Sequence, residues 1–382
     1  MKILILANYG MGLFKFRKEL LEKLIETEEV YISLPKDEYT DQLEELGCKF
    51  IESHVDRRGT NPISDMKLLL KYLKVFKEVK PDLVLTYTIK PNVYGGIACR
   101  IAKIPYISNV TGLGTSIEND GVLQKISMTL YKIGLKKSEC VFFQNKDNKD
   151  LFINKEIINN KSRLLPGSGV NVSRFTFEDY PKADKKLKFL FIGRLMKAKG
   201  IDELLLAAQK LKSKYPFIQF DLIGEMEDDY ANQISKLENL GIVKYHHKQN
   251  DIHYFIKNSH ATILPSYHEG MANVLLESAS TGRPVIASNI AGCIETFDEK
   301  ISGISFQKAN LDSLVNAIES FILMSYQQKK EMGVAGRKKI EREFDRNRVI
   351  NAYVDEINGI QKIDNSRQIS KKTVYIEGNE SI

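Results

Sequence analysis

The chain has 382 residues, 43% hydrophobic and 27% charged, an ordinary globular composition that excludes collagen-like, fibrous and wholly disordered classes. Its length points to two domains with a sizeable core in each. Lys plus Arg number 56 against 49 Asp plus Glu, a net charge of +7; this mild excess suits an acidic ligand or a membrane surface and falls short of a nucleic-acid binder's footprint. Cys48, Cys99, Cys140 and Cys293 stand far apart and form no CxxC pair, so neither a zinc site nor a disulfide framework is expected, and a reducing cytoplasm is the simplest setting.

In chain order, the apolar run Ile3–Ala7 predicts a buried strand and is too short for a signal-peptide core. Phe14–Thr27 reads as a helix, Val30–Leu34 as a strand, Ile63–Lys80 as a helix and Leu83–Thr86 as a strand. A polar, Pro-containing stretch, Glu178–Lys188, precedes a second series. Strands are expected at Phe189–Gly193, Phe217–Gly224, Val243–His246, Ala261–Pro265 and Pro284–Ser288. Helices are expected at Ile201–Leu211, Asp229–Leu240, Asp251–Asn258 and Asn273–Ser280, the last stopped by Gly282 and Pro284. Leu311–Met324 and Gln327–Phe344 follow as helices, and Asn347–Ile360 is long enough to cross back onto the first domain. Residues 361–382 are polar and aperiodic, and are expected to form a flexible tail. Strand–helix alternation implies parallel sheets. The expectation is therefore two doubly wound α/β domains, 1–177 with a crossover helix near 345–360 and 186–344, joined near 176–188, each half of one cleft. No stretch approaches the roughly 18 apolar residues of a membrane span.

In open α/β sheets ligands bind beyond the carboxyl ends of the strands, so the loops after each apolar run are the places to search. Gly193-Arg194-Leu195-Met196-Lys197-Ala198-Lys199-Gly200 sets two cations, Arg194 and Lys199, at a strand end beside a helix N-terminus, an arrangement suited to a diphosphate. Alone, it reads equally as a solvated basic loop. His268-Glu269-Gly270-Met271-Ala272-Asn273-Val274-Leu275-Leu276-Glu277 places Glu269 in a loop, lets Gly270 approach a ligand, and leaves the N–H groups of Met271–Val274 as an anion site. Glu277 stands where a carboxylate can hold two neighbouring hydroxyls of a ribose. Asn8-Tyr9-Gly10-Met11-Gly12-Leu13 lacks the full GxGxxG fingerprint and reads equally as a structural turn. Thr86-Tyr87-Thr88-Ile89-Lys90-Pro91-Asn92 and Asn109-Val110-Thr111-Gly112-Leu113-Gly114 supply polar groups for a second substrate or simple loop punctuation.

The Arg194/Lys199 loop with Glu269-Gly270 and Glu277, across two α/β domains, resembles the retaining glycosyltransferases of family 4. The resemblance spans about residues 1–360 and implies the GT-B fold, two Rossmann-like doubly wound domains facing a central cleft. The Tyr-Thr-Ile-Lys-Pro-Asn and Val-Thr-Gly-Leu-Gly segments look most like bacterial enzymes that extend lipid-diphosphate-linked sugars for capsule, O-antigen or protein-glycan assembly.

By this resemblance Arg194 and Lys199 hold the donor's diphosphate and stabilise the departing nucleoside diphosphate, electrostatic help that replaces a metal. Glu269 lies by the donor sugar, Glu277 holds the ribose, and Gly193 and the backbone of Gly270, Met271, Ala272, Asn273 and Val274 complete the cradle. His246, in Tyr245-His246-His247-Lys248, matches the nucleobase site, although the His246 and His247 side chains read better as packing. Gly10, Gly12, Thr88, Lys90, Asn92, Thr111 and Gly112 fall on the acceptor side. One departure is the histidine that many relatives carry in the first domain, where this chain has Thr111–Gly114.

The resemblance implies a UDP-sugar donor, a hexose or HexNAc transferred to a hydroxyl of a polyprenyl-diphosphate-linked sugar, no cofactor or metal, and no nucleic acid. Transfer would proceed on one face, with the leaving diphosphate helping to deprotonate the acceptor, because no first-domain loop carboxylate is nominated as a base. Residues 51–150 carry 16 Lys or Arg against 10 Asp or Glu. They include Leu123–Lys137, which reads either as a membrane-surface helix or as an ordinary core helix; Phe14-Lys15-Phe16-Arg17 is a second candidate for that interface. A cytoplasmic protein on the inner face of the plasma membrane follows. The alternatives are a UDP-sugar 2-epimerase of the same architecture and a non-catalytic nucleotide-sugar-binding scaffold.

Overall fold

The computed structural model describes residues 1–56, 61–112, 122–182 and 186–377. Leu113 and Gly114 of the expected acceptor-side loop, residues 183–185 of the expected linker and residues 378–382 of the expected tail lie outside the described residues. The chain divides into two compact units, the first formed by Met1–Phe143, Asn148–Leu165 and Asn347 onward, the second by Gln144–Asp147 and Pro166–Arg346.

The first unit is a seven-stranded parallel sheet, β1 (Lys2–Leu6), β2 (Glu29–Leu34), β3 (Lys49–Glu52), β4 (Leu83–Tyr87), β5 (Tyr106–Val110), β6 (Cys140–Phe143) and β7 (Ser162–Leu164), in the order β3-β2-β1-β4-β5-β6-β7. Its strands are near-continuous apolar runs because both faces are covered. Successive side chains of β1 point to opposite faces: Ile3 and Ile5 join one core cluster with Leu20, Leu24, Val349 and Tyr353, and Leu4 and Leu6 join another with Leu68, Tyr72 and Val75. The first cluster covers α1 (Gly10–Ile25) and α2 (Thr40–Glu45), the second α3 (Pro62–Val79) and α4 (Gly96–Ala102). Two further helices, α5 (Val122–Leu135) and α6 (Lys146–Asn154), follow β5 and β6. Strand order reverses between β1 and β4, which pair Leu6 with Thr86, so the segments after these two strands flank the switch point.

The second unit repeats the plan with six parallel strands, β8 (Leu187–Ile192), β9 (Ile218–Ile223), β10 (Val243–Tyr245), β11 (Ala261–Leu264), β12 (Val285–Ser288) and β13 (Gly303–Phe306), in the order β10-β9-β8-β11-β12-β13. Its helices are α7 (Ile201–Lys214), α8 (Ala231–Asn239), α9 (Ile252–Lys257), α10 (Asn273–Ser280), α11 (Leu311–Leu323) and α12 (Tyr326–Glu343). Its switch point lies between β8 and β11, so the loops opening at Gly193 and at Pro265 flank it.

Three expectations are corrected. The units part at Leu165 and Pro166 rather than near 176–188. The reason is Arg283, 1% exposed, whose guanidinium donates to the carbonyls of Glu178 and Asp179 at 3.0 and 2.8 Å and fixes the presumed linker to the second unit. Residues 361–377 are helical rather than irregular: α13 (Arg346–Glu377) is one 32-residue helix, and beyond Gly359 no Gly or Pro interrupts it before Gly378. In the Phe14–Arg17 stretch it is Arg17 that is not at the surface, whereas Phe14, Lys15 and Phe16 are half-buried. Phe14 packs on Tyr39 with ring centroids 5.6 Å apart, and Arg17, 4% exposed, lies over the Tyr87 ring.

Candidate active site

In the second unit β8 ends at Ile192 and the chain crosses back on itself. Leu195 N–H donates to the Glu225 carbonyl at 2.8 Å, Lys197 N–H to Asp228 Oδ2 at 2.7 Å, and the tight turn Lys197–Lys199 stops at Gly200. Gly200 takes φ +69°, and a Cβ there would lie 2.1 Å from the Pro265 carbonyl oxygen. Only glycine lets this loop lie against the end of β11 while turning into α7.

That close approach brings the two nominated loops together. Tyr267 N–H donates to the Ala198 carbonyl at 2.9 Å, and Lys199 Nζ reaches Glu269 Oε1 at 2.5 Å. Both side chains are mostly buried, 19% and 14% exposed. The same Glu269 oxygen accepts the buried Ser266 hydroxyl at 2.7 Å, so the carboxylate is fixed by a cation and a neutral donor together. Arg194 is turned elsewhere. Its side chain is 47% exposed, and its Nη1 pairs with Glu227 Oε1 at 2.7 Å. The two cations of one loop are thus each held by a separate carboxylate. For His268 beside Glu269, burial lowers the pKa, Lys308 adds to this, and Glu269 opposes it.

The loop into α10 is secured from two sides. Asn145 Nδ2 donates to the Gly270 carbonyl at 2.7 Å, and Ala272 N–H donates to the Gly292 carbonyl at 2.8 Å. Gly292, at φ +83°, lies so close to this loop that a Cβ would sit 2.7 Å from the Glu269 carbonyl oxygen, and its N–H is held by Glu295 at 2.7 Å. Among the described residues the N–H groups of Met271 and Val274 meet no acceptor. They form the N-terminal turn of α10, where the helix field favours an anion. Met271, Ala272 and Glu277 are buried, and Asn273 opens the helix.

His246 is spent on packing: Nε2 lies 2.8 Å from Asp221 Oδ1, and the ring stands edge-on to Phe255. Its backbone segment remains at the end of β10.

The acceptor-side residues differ more from expectation. Gly10 and Gly12 lie inside the first turn of α1 rather than in a turn before it. The anion position there is already filled, because Gly10 N–H donates to Asp37 Oδ2 at 2.6 Å. Asn92 is fully buried: it accepts from the Thr86 hydroxyl at 2.7 Å and donates to the Asn109 carbonyl at 2.8 Å, so its amide serves the core rather than a ligand. Lys90 is 9% exposed and pairs with Asp65 at 2.7 Å, which also accepts the Tyr94 hydroxyl at 2.7 Å. Thr88 takes φ +72°, a strained value for a β-branched residue at a strand end, and a π-helical turn, Pro91–Gly95, follows. Thr111 and Gly112 are half-buried.

Sequence reading missed Glu227, Ser266, Asn145, Asp37 and Asp65. The acidic run Glu225–Asp229 directly after a strand was a signal in hand; the other four act through contacts that spacing does not reveal.

Two parallel sheets, each with polar loops at its switch point, are the two-domain architecture of the GT-B fold. The Anabaena protein HepE, solved in complex with UDP and glucose, is similar with a TM-score of 0.76 at 18% identity, over 94% of this chain and 99% of that one. The family model for glycosyl transferases group 1 matches residues 172–339, and that for glycosyl transferase 4-like matches residues 2–145. The chain belongs to these glycosyltransferases and is an enzyme of that class. Among curated relatives, the N,N'-diacetylbacillosaminyl-diphospho-undecaprenol alpha-1,3-N-acetylgalactosaminyltransferase of Campylobacter jejuni is 29% identical over 83% of this chain and 88% of its own length. The UDP-Gal:alpha-D-GlcNAc-diphosphoundecaprenol alpha-1,3-galactosyltransferase of Escherichia coli is 26% identical over 68% and 71%.

Proposed function

We propose that this enzyme moves a sugar from a UDP-sugar to a hydroxyl of a polyprenyl-diphosphate-linked sugar during bacterial surface-polysaccharide or glycan assembly, with retention at the anomeric carbon. The observation that carries the reading is the Lys199–Glu269 pair at the switch point of the second unit, beside the open N–H groups of Met271 and Val274. The acceptor class rests on the activities of the Campylobacter and Escherichia relatives, and the UDP donor on the latter.

In this mechanism the α10 N-terminus and the Arg194 guanidinium bind the donor diphosphate, and Glu277 holds the ribose. The backbone near His246 borders the base. Glu269 orients the donor sugar through the oxygen it does not share with Lys199 and Ser266. As the bond from the anomeric carbon to the phosphate oxygen breaks, Lys199 and Arg194 stabilise the negative charge on the leaving oxygen. That oxygen takes the proton of the acceptor hydroxyl, whose oxygen bonds the anomeric carbon from the same face. Thr88, Lys90, Thr111 and Gly112 border the acceptor, with Asn92 supporting them from the core. No metal or cofactor is needed for this step. The protein works at the inner surface of the plasma membrane; among the described residues no helix is long and apolar enough to cross one.

The test incubates purified protein and chelator with UDP-, GDP- or ADP-sugars and an undecaprenyl-diphosphate-linked sugar, and follows product mass and anomeric configuration by NMR. Transfer from a UDP-sugar with retention is expected. Inversion, a requirement for metal, or release of an epimerised sugar nucleotide would overturn the respective part.

A further inference from the structure

We propose that the outward face of α3, α4 and α5 in the first unit docks this enzyme on an anionic lipid surface. The inference rests on the transferase reading above, because a lipid-linked acceptor requires an enzyme that reaches a membrane.

The geometry begins with α3. Leu68, Tyr72, Val75, Phe76 and Val79 form its buried stripe. On the opposite side the first two turns are also apolar: Ile63 is 68% exposed, Met66 56% and Leu70 58%. These positions, i, i+3 and i+7, line up on one helix face. Exposed apolar residues scattered singly need no explanation, whereas an aligned row rimmed by charge marks an interaction surface. Lys67, Lys74 and Lys77 are exposed beside and below the row.

The neighbouring helices continue the pattern. On α5, Met128, Tyr131 and Leu135 are buried, whereas Ile126 and Ile133 are 51% and 43% exposed with Lys125 and Lys132 exposed beside them. Between α3 and α5 packs α4, whose Ile101 is 59% exposed and whose Arg100 donates to the Ile133 carbonyl at 2.7 Å, joining α4 to α5. Neither α4 nor α5 contains an acidic residue. Of the two acids on α3, Asp65 is taken by Lys90 and Tyr94, and Glu78 lies 3.8 Å from Lys74. The face is therefore apolar and predominantly basic, with Glu78 the one exposed acid on these three helices.

This chemistry commits to a lipid surface rather than a protein groove. The apolar side chains stand apart among lysines with long stems, so they can enter the headgroup layer singly while the ammonium groups stay at phosphate level. Basic residues are attracted to anionic lipid in a salt-dependent way.

The experiment is co-sedimentation of the full chain with phosphatidylcholine vesicles with or without phosphatidylglycerol, at low and high salt. Binding only to the phosphatidylglycerol vesicles, weakened by salt, is expected. Ile63→Glu with Leu70→Glu, and separately Lys125→Glu with Lys132→Glu, should each weaken it by roughly tenfold or more. All four positions are solvent-facing, so folding should be retained. Transfer to a short-chain, water-soluble diphosphate-linked acceptor should be unchanged in both variants. Wild-type protein indifferent to vesicles of either kind, or variants that bind as wild type, would overturn the face. Intact vesicle binding without transfer to the soluble acceptor would leave the face standing and remove the transferase reading.

Discussion

Replacing Lys199 by alanine separates what this side chain does for the fold from what it does for the reaction. Its ammonium lies 2.5 Å from Glu269 with only 19% of the side chain exposed, so the pair is shielded and its loss registers in stability. The Glu269 carboxylate is not orphaned, because Ser266 still donates to it at 2.7 Å. The loss is therefore that of one charge-assisted bond, about 1–3 kcal/mol, which in a unit of this size lowers Tm by roughly 2–10 °C. Catalysis should suffer far more. Removing a charged donor from the leaving oxygens costs about 3–4 kcal/mol of transition-state stabilisation, a 10²–10³-fold fall in kcat. The assay is release of nucleoside diphosphate under saturating donor and acceptor, with thermal melting run on the same preparation. Lys199→Arg should restore the charge with altered geometry and recover part of the rate. A folded Lys199→Ala enzyme turning over within about threefold of wild type would refute the reasoning, because a merely structural cation predicts the melting shift without the kinetic one.

Arg194→Ala should show the opposite balance. Its pair with Glu227 is half-exposed and contributes about 0–1 kcal/mol, so melting is unchanged within roughly 3 °C while kcat drops at least tenfold, about 1.4 kcal/mol; an unchanged rate would take Arg194 out of the diphosphate site. Gly200→Ala forces a Cβ at φ +69° to within 2.1 Å of the Pro265 carbonyl oxygen; calorimetry should record a loss of about 2 kcal/mol or more, and a neutral result would mean the two loops are not in contact. His260 is 5% exposed, its Nδ1 accepts the Lys188 N–H at 3.1 Å, and burial lowers its pKa to about 4. Between pH 4 and 6.5 the unfolded chain binds the extra proton, so stability from this group is fully present above pH 6.5 and declines towards pH 4, by up to about 3 kcal/mol. Urea melts at pH 7 and pH 5 should show this decline in wild type and a smaller one in His260→Gln, which keeps an acceptor without a titrating group; equal declines would exclude His260 as the source.

The parts of the fold legible in sequence are those whose signal is local. Ile3–Ala7 and Phe189–Gly193 announce buried parallel strands because four or five consecutive apolar residues have no other economical home in an α/β protein. β3, β6, β7 and β13 span four residues or fewer, too short for periodicity to register by itself; β10, β11 and β12 are as short and were legible only from their place in the strand–helix alternation. The site divides in the same way. Loop composition after β8 and β11 pointed to Lys199 and Glu269, but their pairing joins residues 70 apart through strand order, which no spacing encodes. Arg194 carries no mark of its partner Glu227, and Asn92, polar and in a loop, looks like a ligand contact although its amide closes a core network with Thr86 and Asn109. The outward row of α3 was hidden because a helix apolar on two sides yields only a modest periodic signal.

The return of α13 to the first unit has a consequence for biosynthesis. Tyr353, 1% exposed, receives the Asn109 amide at 2.6 Å and packs on Phe142, while Val349 and Ile357 fill the same sheet face. That face is made early, from β1 to β6, and its cover is synthesised only after the second unit. At 5–20 residues per second, roughly 10–40 s pass between synthesis of Leu165 and of Ile360. In that interval the second unit is itself synthesised, its last residue, Arg346, preceding Ile360 by only 14 positions, while the first waits with apolar surface uncovered. The first unit therefore cannot close its core before the second has been synthesised, and the nascent first unit is the stage at which a chaperone would find its substrate.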